Sequence, residues 1–183
     1  MARVPYLEAD DLEPQYRPLL KRGINLHKAI VNSPQARIAA APLGRYIRFE
    51  SKVDPRLREL AILQVGYLAR SDYEWSHHIK ISQDFGVTDA DIQALIDDTE
   101  GRPAGLDPLT AAVLKGAREM TNDLAMTDAT FGYLKSNMPL DALVDLVLVI
   151  AQYNSVVRLL ATLQIDVEPE YKQYLDRFPL PKT

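Results

Sequence analysis

Between Leu60 and Leu68 the only strongly polar side chain is Gln64, with Gly66 and Tyr67 the other non-aliphatic residues. A helix apolar on nearly every side has to be buried on every side, so the rest of the chain must wrap around this one. Asp54-Pro55 just ahead reads as its start: an Asp cap, then Pro at the position whose N–H has no partner anyway. Glu59 stands at the entrance of the helix, either at the surface or as an ionisable group at the edge of a core. Ser71 and Asp72 break the pattern and restart a second helix, which Gly86 closes as a C-cap. No period of two runs long enough for a strand, so the chain reads as all-α.

On the second helix Ser71, Glu74 and His78 stand at i, i+3 and i+7 and fall within about 60° of one another, on one face. His77 lies about 100° away from His78 and is expected outside any site that His78 serves. A carboxylate and an imidazole four residues apart can relay a proton or hold a metal. Ser71 is equally a helix cap, and no nucleophile-elbow glycines surround it. Tyr73 and Trp75 suit either packing or the lining of a site for a planar ligand.

The run RELAILQVGYLARSDYEWSHHIKIS, followed by FGVTDADIQALI, resembles the carboxymuconolactone decarboxylase family, which also contains the alkylhydroperoxidase D type proteins. The likeness covers roughly residues 25–165. The peroxidase branch of that family carries Cys-x-x-Cys-x-x-x-His after an upstream Glu. On this chain His78 matches the histidine and Glu59 the glutamate, while Ser71 and Glu74 fall where the two cysteines would be. The resemblance therefore implies a single-domain helical bundle over 1–183 with His78, Glu59 and Glu74 as catalytic candidates. From the residues themselves, Ser71, Tyr73, Trp75 and Arg158 are the candidates for holding substrate. Glu59 would hold the His78 tautomer or hand on a proton.

The chain contains no cysteine, which removes disulfides, thiolate metal sites and every thiol-based peroxidase mechanism. A net charge of −4 without basic runs gives no reason to expect nucleic acid or an anionic membrane as partner. The first residues, MARVPYLEADDLEP, lack the apolar stretch of a signal peptide, and apolar runs are expected to stay below spanning length, so the cytoplasm is the default. No HExxH spacing occurs and strong ligands are few, so no native metal or cofactor is expected.

Elsewhere the first residues should form short helical pieces closed by Gly23, with helices over 24–32 and from Ser33-Pro34 onward, the latter kinked or divided at Pro42. His27 is expected at the surface. Arg37, Arg45 and Arg48 are expected to be solvated, with Arg45 and Arg48 the candidates for exception. Thr88, Asp107 and Thr127 each start a further helix, and Pro139 opens the last long apolar pattern. Within it DLVLVIAQY (145–153) can be laid over ELAILQVGY (59–67), acid first and tyrosine last, a weak repeat that suggests two facing helical hairpins. Arg158, which follows it, is a candidate partner for Asp145 or for a ligand carboxylate.

Taken together, the residues and the resemblance imply a lyase that acts by acid/base chemistry on a small carboxylated ring or lactone. The alternatives are a peroxidase-like relative without thiol activity and a non-catalytic protein that binds a small ligand. The apolar surplus of 60–68, 144–151 and 156–165 calls for cover by a second copy. The resemblance implies a homotrimer or hexamer.

Overall fold

The computed structural model describes residues 2–181, and among them there are helices and turns but no strand. Two short 3₁₀ helices open the chain, followed by α1 (Asn25–Ile30) and α2 (Pro34–Phe49). The central hairpin is α3 (Pro55–Leu68) and α4 (Asp72–Gln83), and α5 (Asp89–Thr99) and α6 (Pro108–Asn122) lead away from it. Helices α7 (Asp128–Asn137) and α8 (Leu140–Leu163) follow, and a 3₁₀ turn precedes the short α9 (Lys172–Arg177).

Helix boundaries sit where the caps put them. Asp54 accepts from the Leu57 amide at 3.0 Å and Ser71 from the Glu74 amide at 3.3 Å. Asp107 and Thr127 cap α6 and α7, and Thr88 with Asp91 forms a capping box on α5. Each cap satisfies an amide that would otherwise lack a partner and is worth about 1 kcal/mol. Gly86, at φ 87°, turns the chain from α4 into α5 in a conformation that L side chains rarely adopt.

Helix α3 is buried on all sides from Leu57 to Tyr67, and three surfaces account for that. Leu57, Ala61 and Val65 pack on Val113 and Ala117 of α6 and on Leu143, Leu146 and Ile150 of α8. Leu60, Leu63 and Tyr67 meet Trp75 and Ile79 of α4, Ile92 and Leu95 of α5, and Phe178 beyond α9. Ile62 faces Ile47 of α2 and Val149 of α8. Burying a leucine of this kind stabilises the fold by roughly 1.5–3 kcal/mol.

Three features depart from the sequence reading. Pro42 lies inside a continuous α2, because Ile38 and Pro42 both lie toward solvent, where water can satisfy the carbonyl that the proline leaves free. Helix α8 has 24 residues and is long and apolar enough to cross a membrane by length and composition alone, contrary to the expectation that no apolar run reaches that length. The core helix of a soluble protein passes the same test, and one face of α8 is buried from Ala142 to Leu160, with Asp145 on it. The outer face leaves Leu140, Val144 and Leu148 exposed. The acid-first resemblance of α3 and α8 extends to burial, since Glu59 and Asp145 are both buried. It does not extend to a second hairpin, since only a 3₁₀ turn and the six-residue α9 follow α8.

Candidate active site

Helices α3 and α4 run back to back, close enough at Gly66 that an added Cβ would lie 3.4 Å from the Trp75 amide nitrogen and 3.5 Å from Glu74 Cγ. That approach brings the start of α3 beside the middle of α4. His78 Nδ1 lies 2.8 Å from Glu59 Oε2 in a hydrogen bond, and Nε2 lies 3.0 Å from Glu74 Oε1. The second pair is close but poorly aligned. Glu74 Oε1 has no hydrogen-bond partner, so its contact with the ring is Coulombic. Arg58 closes the chain of charges, donating from Nε and from its terminal nitrogen to Glu59 Oε1 at 3.1 and 3.0 Å. Its other terminal nitrogen reaches the Arg48 carbonyl at 3.1 Å. Arg58, Glu59, Glu74 and His78 are all buried, His78 being 5% exposed.

Burial alone would pull the His78 pKa down, but the charge of Glu74, the hydrogen bond to Glu59 and the charge of Glu59 outweigh it and raise it to about 9. Burial pushes the Glu59 carboxyl up, while the hydrogen bond and charge of His78, with Arg58, hold it below its usual value. At neutral pH the pair is therefore an imidazolium on a carboxylate, with Nδ1–H fixed on Glu59 and Nε2–H on the opposite edge of the ring.

That opposite edge belongs to a cavity of about 120 Å³ walled by Glu74, His78, Tyr153, Tyr73, His77 and Arg48, among others. The Tyr153 ring stands edge-on to His78, 5.0 Å between centroids. Burial, then the charges of Glu74 and Glu59, raise the pKa of its hydroxyl, so it stays protonated. A second chamber of about 670 Å³ shares Arg22, His27, Arg48, Gln152 and Tyr153 with the first and opens outward from it.

The structure brings Glu59, Glu74 and His78 together, and Tyr73 lines the inner cavity. The other residues expected to hold substrate lie elsewhere. Ser71 is the α4 cap. Trp75 is fully buried, donating from Nε1 to the Phe178 carbonyl at 2.7 Å. Arg158 is exposed and folds back on its own helix to Asn154 at 2.9 Å. Asp145 instead accepts from the Tyr46 hydroxyl and the Lys52 amide, both at 2.7 Å.

His77, expected outside the site, lines the inner cavity. It is stacked between Tyr73 and Tyr171 and paired with Glu168 at 2.7 Å. His27, expected at the surface, is half-buried on the wall of both chambers. Tyr153 could have been found from the sequence, since the overlay of 145–153 on 59–67 ends on it. Arg48, one of the two arginines expected as exceptions to the solvated reading, lines both chambers, while Arg22 carries no signal in the sequence.

Among the described residues no three His, Asp or Glu side chains are placed to hold a metal together. Glu59 and Glu74 engage opposite nitrogens of one imidazole, so they do not converge on a common point.

Residues 34–119 match the carboxymuconolactone decarboxylase family. Among curated proteins, none matches the chain by sequence. The fold is shared with an uncharacterized peroxidase-related protein from Ralstonia eutropha JMP134 with an alkylhydroperoxidase AhpD core. That structure has TM-score 0.80 and 15% identity, with 95% of each chain covered. The debrominase Bmp8 in complex with 2,3,4-tribromopyrrole is similar at TM-score 0.79 and 19% identity, over 97% of each chain. A peroxidase-related protein from Silicibacter sp. TM1040 gives TM-score 0.75 and 17% identity, over 92% of each chain.

Proposed function

Since residues 34–119 match the carboxymuconolactone decarboxylase family, we propose that this chain is a lyase that decarboxylates a small carboxylated lactone, with His78 as the proton donor. One observation carries the reading. His78 is a buried imidazole held by Glu59 on one edge and presented beside Glu74 to a cavity on the other. As the bond to the carboxyl carbon breaks, CO₂ leaves and the electron pair moves into the conjugated lactone carbonyl. His78 Nε2–H then delivers its proton to the ring carbon next to that carbonyl, which leaves an enol lactone, and the neutral imidazole is reprotonated from solvent. Glu59 fixes which nitrogen faces the substrate. Glu74 keeps that nitrogen protonated between turnovers, and the protonated Tyr153 hydroxyl is a donor for the developing oxyanion.

The cavity supports a ligand of that size, because an engineered cavity of about 150 Å³ accepts benzene and the inner one measures about 120 Å³ before the outer chamber is added. The solved relative Bmp8, bound to a brominated pyrrole, supports a small planar ring on this fold. Thiol-dependent peroxidase chemistry has no nucleophile here, since the chain has no cysteine. The test is turnover of carboxymuconolactone by His78→Gln, which should keep the fold and lose about two to four powers of ten. Near-normal turnover by that variant would reduce His78 to a structural role.

We further propose that the protein works as a homo-oligomer, a trimer or hexamer, with the site near a subunit boundary. Leu140, Val144 and Leu148 lie exposed at four-residue spacing along α8, and Phe49 at the end of α2 is 70% exposed. A contiguous apolar stripe of this kind favours cover by a second subunit.

A further inference from the structure

We propose that Arg22, Arg37 and Arg48 form an anion clamp in the outer chamber that selects ligands carrying two negative charges, a dicarboxylate or a phosphate monoester, over ligands carrying one. The proposal deepens the reading of the His78 cavity as a substrate site and rests on it. Four arginines line the outer chamber, and no Asp or Glu does, although the chain as a whole has 25 acidic residues against 21 basic ones. Only Arg45 is neutralised, by Glu50 at 3.1 Å. Among the described residues no carboxylate pairs with the guanidinium of Arg22, Arg37 or Arg48.

Arg37 reaches only the His27 ring, at 3.3 Å from both ring nitrogens, and its Nε is buried without a partner. The cations repel one another. Burial and the neighbouring charges hold the Arg22 and Arg37 guanidiniums below their usual value. Burial, then Arg37, Arg22 and Arg48, push His27 down to about 4, so it faces the chamber as a neutral ring.

Three guanidiniums without counter-charges around one cavity are unfavourable until an anion enters, and each presents a planar fork suited to carboxylate or phosphoryl oxygens. Ile30, Phe49 and Leu159 on the same walls offer apolar cover to the body of such a ligand. Arg48 and Arg22 also wall the inner cavity, so an anion held there projects its remainder toward His78. No arginine of this set donates the proton. They are positioning and specificity residues.

Four benzene derivatives differing in charge test the clamp by calorimetric titration: phthalate, phenyl phosphate, benzoate and benzamide. At least one dianion should bind about tenfold or more tighter than benzoate, and benzamide should not bind. Whichever dianion leads identifies the natural chemistry as dicarboxylate or phosphoryl. Arg22→Gln and Arg48→Gln should each weaken dianion binding by about 10- to 100-fold. Arg48→Lys, which keeps charge but loses the fork, should fall between Arg48→Gln and the wild type. Arg45→Gln should change binding less than about threefold, because Glu50 already neutralises that side chain.

Benzoate binding as tightly as both dianions would overturn the clamp. So would failure of either dianion to saturate the protein, unchanged binding in both Arg→Gln variants, or an equal loss in Arg45→Gln. Dianion binding is read without turnover, and the role of His78 is read from turnover alone. A clamp that fails therefore leaves the assignment of the proton donor untouched, and an idle His78 leaves the clamp untouched.

Discussion

Raising the pH from 6.5 to 9.5 should cost the fold about 3 kcal/mol through His78 alone. The imidazole has an ordinary pKa of 6.5 and is raised to about 9 in the folded protein, where burial opposes the rise and the carboxylates of Glu74 and Glu59 drive it. Every tenfold gain in proton affinity on folding is worth about 1.4 kcal/mol, so the difference corresponds to about 3 kcal/mol of stability. Because the folded pKa lies above the unfolded one, that contribution is present in full below about pH 6.5 and is lost as the pH climbs through about 9. Little solvent discount applies, since His78 is buried between its partners. Glu59 works at the other end of the scale. Its folded pKa is depressed, so its contribution is present above its ordinary value of 4.5 and fades in acid.

The assay is urea denaturation of wild type and His78→Gln at pH 6.5 and 9.5. Titrating groups away from His78 cancel in the comparison, so the wild type should lose about 3 kcal/mol more than the variant across that interval. Parallel pH profiles for the two proteins would refute the description of His78 as a buried imidazolium and remove its fitness as a proton donor at neutral pH.

Leu60→Ala should cost about 2–5 kcal/mol in the same denaturation assay, because Leu60 is fully buried where α3 meets α4 and α5; a loss below about 1 kcal/mol would deny α3 its central place. Light scattering at micromolar concentration should give the mass of a trimer or hexamer, whereas a stable monomer would leave the α8 stripe uncovered and refute the assembly. Incubation with an alkyl hydroperoxide and a dithiol should give no turnover above the blank in metal-free protein. Turnover there would require a nucleophile that this chain does not contain.

Much of this architecture is legible in the sequence because it is written locally. Asp54, Ser71, Thr88, Asp107 and Thr127 are caps wherever they occur before an apolar pattern, and each does cap a helix. Glu74 and His78 share a face by spacing alone, and the buried α3 follows from having no polar side but Gln64. What stays hidden depends on contacts between distant segments. Trp75 and a ligand-lining aromatic look the same in sequence. What makes Trp75 structural is its bond to a carbonyl 103 residues away. Helical geometry puts His77 outside the site, yet α4 is walled on that side too, by Tyr171 and Glu168 from the chain's end. The arginines of the outer chamber come from the segment before α1 and from α2, with α8 as the far wall. No periodicity marks such a set. Arg158 has the same local signature as Arg48 and turns out to bind its own helix.

The central claim is that His78 protonates carbon as a carboxylate leaves. Wild-type protein given carboxymuconolactone in D₂O should release one CO₂ per substrate and leave one deuterium on the ring carbon next to the lactone carbonyl. His78→Gln should slow both by the same factor. Substrate that remains intact, or CO₂ release that His78→Gln does not slow, would contradict the account.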